Sequence, residues 1–418
     1  MAGSQRERSK DRSSKKLLLL LLCGYHSGLG SPDVLQGAVG SLTVTPSSSS
    51  GATVPLNHRH GPCSPAPSAK APTILELLQH DQLRAKYIKQ KFSGTAGLQP
   101  LDLTVPTTLG SALDTLEYVI TVGIGSPAVT QTMMIDTGSD VSWVRCNSTD
   151  GVTLFDPSKS TTYAPFSCSS AACAQLGTQG NNCSSSGCQY SVQYFDGSNT
   201  TGTYGSDTLA LSDADTVTDF HFGCSYHEED MDEEKFDGLM GLGGDVPSLV
   251  SQTAATYGKS FSYCLPPTNS TSGFLTFGAP NGTSGFVTTP MLRYTQAPTF
   301  YGVLLKDISA GGRPLRIQSS VFSGGSVMDS GTVITWLPRR AYSALSSAFR
   351  SGMTRYTRAL VFDGRAVMDL DFDGIMIEHC LAFAATSDES FIGNVQQRTF
   401  EVLHDVGQGV FGFRSGAC

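Results

Sequence analysis

Charged side chains are scarce in this chain, 15% of its residues, and tryptophan is scarcer, at two in 418. No apolar run can cross a bilayer as a helix: the longest, Leu17 to Cys23, falls far short of the ~20 residues a span requires. No Gly-x-Ser-x-Gly elbow is present to carry a serine nucleophile. Gly258-Lys259-Ser260 ends like a phosphate loop, but Thr253 stands where that loop needs its first glycine. Gly241-Leu242-Gly243-Gly244 has Val246 where a dinucleotide loop needs its third. The spaced pairs Cys168/Cys173 and Cys183/Cys188 have no histidine at finger spacing, and His58 and His60 have no further ligand nearby. An acidic run from Glu228 to Glu234 lacks the ligand periodicity of a calcium loop. These absences argue against a serine hydrolase, a nucleotide-dependent enzyme and a membrane helix. No cofactor and no metal are expected.

What is abundant is glycine (45 residues) with serine and threonine, the composition of many short strands and turns. Charge is unevenly placed. Residues 1–109 hold 12 basic and 6 acidic side chains, leaving 16 and 30 in residues 110–418, so a basic leader precedes a body of net charge -14. Eleven cysteines and five Asn-x-Ser/Thr sequons, at Asn147, Asn182, Asn199, Asn269 and Asn281, suit disulfides and glycans in a secretory compartment. Nine of the cysteines follow the leader, an odd number, and their connectivity is not readable from spacing.

In chain order, residues 1–30 read as a signal peptide, or alternatively a transit peptide: basic residues, then the short apolar core Leu17 to Leu22. Residues 31–111 read as a propeptide. Its Ser/Pro/Gly-rich part, 30–73, is expected to be a linker or loosely folded. Thr73 to Lys91 has Ile74, Leu77, Leu78, Leu83 and Ile88 near helical spacing with Lys and Arg between them, a basic amphipathic helix able to lie on the acidic body. Alternating strands begin near Ala112, with Tyr118 to Gly123 leading through a Gly125-Ser126-Pro127 turn.

The strongest signal is a repeat. Met134-Ile135-Asp136-Thr137-Gly138-Ser139-Asp140 returns as Val327-Met328-Asp329-Ser330-Gly331-Thr332, and the two tryptophans, Trp143 and Trp336, each lie seven positions after an aspartate. One Asp-Thr-Gly is usually just a turn. Two with matched flanks imply two similar lobes, each bringing one carboxylate to the tip of a strand. Carboxylates held that close share one proton, and such a pair can activate water while protonating a carbonyl oxygen.

These residues resemble the pepsin-type aspartic proteases, in particular the nepenthesin-like plant branch that includes the chloroplast-nucleoid DNA-binding members. The resemblance extends from about Val54 to Cys418 and includes Phe222-Gly223-Cys224, Asp237 to Gly243 and Gly393 to Phe400. It implies a mostly β, bilobal pepsin-like fold with a central cleft, lobes at 112–286 and 287–418. It further implies Asp136 and Asp329 as the catalytic pair, oriented by Thr137, Gly138, Ser330 and Gly331. The hairpin from Gln189 to Leu211 would be a flap over the substrate, with the Tyr194 hydroxyl reaching Trp143. Behind each aspartate loop, a supporting segment would end at Gly241 and Gly393.

The chain also departs from the family pattern. Phe195 replaces the usual glycine after Tyr194, the expected extra cysteines after Cys146 are missing, which implies that Cys146 lacks its usual partner, and the second lobe is shortened between the helix at Pro338 to Met353 and Val361. The function implied is acid endopeptidase. The alternative is a catalytically weak or inactive binding protein on the same scaffold, as among plant inhibitors of cell-wall hydrolases. Partners would be proteins or peptides bound to a monomer. Nucleic acid would engage only the basic leader, because the acidic body repels phosphates. The secretory pathway, apoplast or vacuole is expected, with the chloroplast as the alternative.

Overall fold

The computed structural model describes residues 51–58, 74–93 and most of 118–415. Short alternating segments form strands throughout, and among the described residues they build one 15-stranded sheet, one six-stranded sheet and three two-stranded ladders. Tyr118–Ile124 and Val129–Asp136 pair antiparallel across Gly125, which sits at φ +94°, the left-handed region that favours glycine. The large sheet then runs through the crossing strand Gly238–Gly241 and Trp143–Arg145 to the long pair Asn199–Ala210 and Thr216–Glu229. The six-stranded sheet holds Tyr301–Val303, Ser326–Met328, Thr335–Pro338, Phe383–Thr386 and Ser390–Ile392. The fold is therefore mostly β and bilobal, as the resemblance implied. The two halves are joined by sheet: the late strands Phe400–Asp405 and Val410–Ser415 pair onto Ser260–Cys264 and extend the large sheet.

One expectation fails inside the segment read as a linker. Thr53–His58 is a strand in the middle of the large sheet, antiparallel to both Ser272–Phe277 and Tyr118–Ile124. Val54, Leu56 and His58 are buried in alternation, and Val54 and Leu56 belong to the main core cluster. The Pro/Ser/Gly composition around it concealed a six-residue stretch whose alternation suits a half-buried strand. A mature form that discarded these residues would leave two neighbouring strands with unpaired main-chain donors.

The helix expected over Thr73 to Lys91 spans Ile74–Ser93, and the one after Trp336 spans Arg339–Gly352. Leu315-Arg316-Ile317, whose apolar-basic-apolar alternation suits a strand, is irregular, with Arg316 at φ 57° and the adjacent pairing confined to Arg313–Pro314. Among the cysteines, Cys146 is not left alone: it is bonded to Cys224, closing a 78-residue separation. The two spaced pairs cross, Cys168 to Cys183 and Cys173 to Cys188, and Cys264 is also disulfide-bonded. Phe195, Thr354 to Leu360 and Cys380 lie outside the described residues.

Candidate active site

Each aspartate stands at the end of an apolar strand that the core fixes in place. Met133 and Ile135 bury the first; Val327 and Met328 bury the second. Behind each loop runs a parallel strand that ends in, or leads directly into, a glycine. Gly241 registers with Asp136 on one side, and on the other Ile392 registers with Met328, one residue before Gly393 and Asp329. The Gly241 N–H donates to the Ser142 hydroxyl (3.0 Å) and the Gly393 N–H to that of Thr335 (3.1 Å), positions six residues after each aspartate. The repeat seen in sequence is thus a repeat in space, with the two loops facing one another.

The loops are tied together directly. The Thr137 N–H donates to the Ser330 hydroxyl (3.2 Å), and the Ser330 N–H to the Thr137 hydroxyl (2.9 Å). The Gly138 N–H donates to Asp136 Oδ1 (2.9 Å) and the Gly331 N–H to Asp329 Oδ1 (3.1 Å), aiming both carboxylates into the gap. Both aspartates are buried. One guanidinium nitrogen, Nη2 of Arg84, lies 2.6 Å from Asp136 Oδ1 and 2.5 Å from Asp329 Oδ1, so those oxygens cannot be farther apart than the two bonds together. Nε of the same residue donates to Asp329 Oδ2 at 2.5 Å.

Arg84 belongs to the helix Ile74–Ser93, so the sequence N-terminal to the first lobe fills the cleft. Burial opposes its charge, but Asp136 and Asp329 together outweigh that and hold the guanidinium more firmly protonated than usual. One turn earlier, the buried Asp81 carboxylate accepts from the N–H groups of Val333 (2.8 Å) and Ile334 (2.7 Å), just beyond the second aspartate's loop. Burial pushes that carboxyl up to about 7, against the opposing pull of the two N–H donors and Arg84. Ala85 and Ile88 complete the buried stripe and pack with Phe300, Val333, Ile334 and Trp336. The stripe is residues 81, 84, 85 and 88, one face of a helix. Glycine makes the approach possible: a Cβ at Gly138 would meet Arg84 Nη2 at 2.3 Å, and one at Gly331 would meet Arg84 Cζ at 2.6 Å.

Sequence reasoning found the helix and its net charge but not Arg84 or Asp81 as the contacting pair. The available signal was two opposite charges falling at i and i+3 on the apolar stripe, where solvated charges do not belong. Two further groups were missed. The Thr332 hydroxyl donates to Asp329 Oδ2 (2.5 Å), whereas the Ser139 hydroxyl, its counterpart in the first loop, is buried without a hydrogen-bond partner among the described residues.

The hairpin Gly187–Gln193 and Asn199–Ala210 stands where the flap was expected. Tyr194 closes its end, its N–H donating to the Ser198 carbonyl (2.8 Å), and its hydroxyl accepts from Trp143 Nε1 at 2.6 Å. Burial raises the Tyr194 phenol well above its ordinary range, so it remains neutral. All eight residues expected at the site, Asp136, Asp329, Thr137, Ser330, Gly138, Gly331, Tyr194 and Trp143, thus fall in the two loops or in the hairpin contact beside them. No cluster of metal-ligating side chains occurs among the described residues.

Comparison with known proteins agrees with this geometry. Residues 118–279 match the family described as Xylanase inhibitor N-terminal, and residues 300–368 the one described as Xylanase inhibitor C-terminal. An aspartyl protease family protein of Arabidopsis thaliana is 36% identical, over 92% of this chain and 91% of its own. The aspartic proteinase nepenthesin-1 of Nepenthes gracilis is 29% identical over 90% of this chain and 96% of its own. Among solved structures, edgp superposes with a TM-score of 0.57 at 20% identity, covering 72% of this chain and 91% of that one. Basic 7S globulin from soybean gives 0.55 at 18%, covering 71% and 90%.

Proposed function

The chain belongs to the aspartyl protease family, and from that membership we propose that it is an aspartic endopeptidase held in a self-blocked form by its own helix Ile74–Ser93. The observation that carries this reading is the single guanidinium nitrogen bonded to both Asp136 and Asp329. A charge placed there occupies the position that an attacking water needs.

With the helix gone, the two carboxylates face each other across a gap built to hold them close, and they retain one proton between them. The ionised member takes a proton from water while the protonated one donates to the scissile carbonyl oxygen, giving a hydrated amide with no covalent enzyme intermediate. Expulsion of the amine then returns the pair to its starting state. Thr137 and Ser330 hold the loops in register, and the Gly138 and Gly331 N–H groups keep each carboxylate aimed. Asp136 accepts the Ser139 hydroxyl once Arg84 leaves, restoring the symmetry that Thr332 already gives Asp329. An extended substrate lies along the flap hairpin like an added strand, with Tyr194 braced on Trp143.

The disulfide-bonded cysteines fit an oxidising compartment such as the apoplast or vacuole. The second reading, a binding protein without turnover, draws on the family described as a xylanase inhibitor and on the superposition with basic 7S globulin. Acid-processed protein should cleave denatured protein, be blocked by a peptide carrying a hydroxyl in place of the scissile carbonyl, and lose all cleavage in Asp136→Asn. An intact, correctly processed protein that cleaves nothing supports the binding reading instead.

A further inference from the structure

The repeated loops differ at one position in a way the dyad chemistry leaves unused. Four residues after Asp136 stands Asp140; four residues after Asp329 stands Val333. Asp140 is buried, and its carboxylate divides between two donors, the Thr299 hydroxyl at 2.6 Å and the Asp245 N–H at 2.9 Å. Thr299 lies 159 residues along the chain, at the entry to the six-stranded sheet. The contact is reciprocated: the Gly244 N–H donates to the Thr299 carbonyl (2.9 Å), and Arg293 Nη2 grips both the Gly244 carbonyl (3.0 Å) and that of Pro298 (2.6 Å). Asp140 therefore sits where the first aspartate's loop, the glycine segment behind it and the second lobe meet. The seam is tight, since a Cβ at Gly243 would lie 2.3 Å from Asp140 Oδ1.

The titratable groups around it are Asp136 on its own loop, Asp245 at the end of the glycine segment, the phenol of Tyr301, and Arg293 on the far side of Thr299. No cation bonds Asp140 among the described residues. Burial raises its carboxyl to about 6, against the pull of the Thr299 and Asp245 donors. Over the acid range it is a neutral acid joining two lobes; nearer neutrality it becomes a buried charge behind the dyad.

We propose that Asp140 is a positioning residue that fixes the first aspartate's loop to the second lobe through Thr299, so that correct placement of Asp136 depends on a contact between the lobes. The proposal rests on the endopeptidase reading. A role confined to folding would change stability alone. A positioning role lowers kcat with little change in KM, because the misplaced group is needed in the transition state and not for holding substrate.

The test uses protein made as the full chain and then acid-processed, with an internally quenched peptide, and kcat and KM are followed from pH 3 to 7. Thr299→Val, which removes only the hydroxyl partner, should lower kcat about tenfold, and Thr299→Ser, which restores the hydroxyl, should recover most of it. Asp140→Asn should lower kcat similarly and reshape the decline in activity near pH 6, where the wild type gains the buried charge. The double variant should lose no more than either single one, because both cut the same contact. Variants with wild-type kcat and pH profile, or additive losses in the double variant, overturn the proposal while leaving the endopeptidase reading intact. A wild-type protein without turnover overturns both.

Discussion

Replacing Arg84 with alanine should convert the blocked chain into an open one without acid. Arg84 is 5% exposed and bonds both carboxylates through two nitrogens. Removing one partner from a buried, hydrogen-bonded ion network usually costs about 3–5 kcal/mol, because the remaining charges lose both their partner and their water. Here the cost falls on the docked state alone. When the helix lifts, the carboxylates regain water, so the penalty shifts the docked-to-open balance directly. At roughly 1.4 kcal/mol per factor of ten, about 3 kcal/mol corresponds to a hundredfold or more. A ligand that binds only the open form gains apparent affinity by the same factor. Calorimetry at neutral pH with a hydroxyl-bearing peptide inhibitor should therefore show Arg84→Ala binding about a hundredfold more tightly than the unprocessed wild type. Arg84→Lys should fall between them, since an ammonium retains the charge but not the planar fork that spans two carboxylates. Equal affinities in a folded Arg84→Ala protein would refute the reasoning, because the arginine would then be a bystander and the block would lie elsewhere.

Three further outcomes are expected. Leu56→Ala, in the inserted strand, should destabilise the full chain by about 2–5 kcal/mol in urea unfolding; a change within a few tenths would mean the strand is as dispensable as a linker. Tyr194→Phe should leave the Trp143 indole N–H buried without its acceptor, costing about 1–3 kcal/mol and lowering turnover, and an unchanged kcat would remove the tyrosine from the site. His404 is buried among Phe261, Tyr263, Tyr301 and Phe411, and burial depresses its imidazole to about 3. A depressed histidine favours the fold while neutral, so its contribution is whole above about 6.5 and is lost as pH falls towards 3, at up to ~1.4 kcal/mol per unit. His404→Phe should flatten that acid slope in thermal unfolding; an unchanged slope would place the acid sensitivity elsewhere.

Much of the site was legible because it is written twice. The matched flanks of Asp136 and Asp329, the tryptophans seven residues on and the glycines at 241 and 393 are local patterns, and a local pattern survives in a string of letters. The strand at Thr53–His58 was not legible, since its six residues are embedded in linker-like composition and gain a partner only from strands at least 60 and more than 200 positions away. The Cys146 pairing was hidden for the same reason: its partner is 78 residues distant, and spacing carries no information about which sulfurs meet.

From the sequence by itself came two carboxylates on equivalent strand tips, a flap tyrosine near a tryptophan, and a basic amphipathic helix ahead of an acidic body. Only the tertiary structure decided that this helix enters the cleft with Arg84 between the aspartates and Asp81 on the Val333 and Ile334 amides, and that Asp140 reaches across to Thr299. The physical reason is that repeats and periodicity are properties of neighbouring residues, whereas which buried charge meets which donor depends on chain segments that folding alone brings within 3 Å of each other.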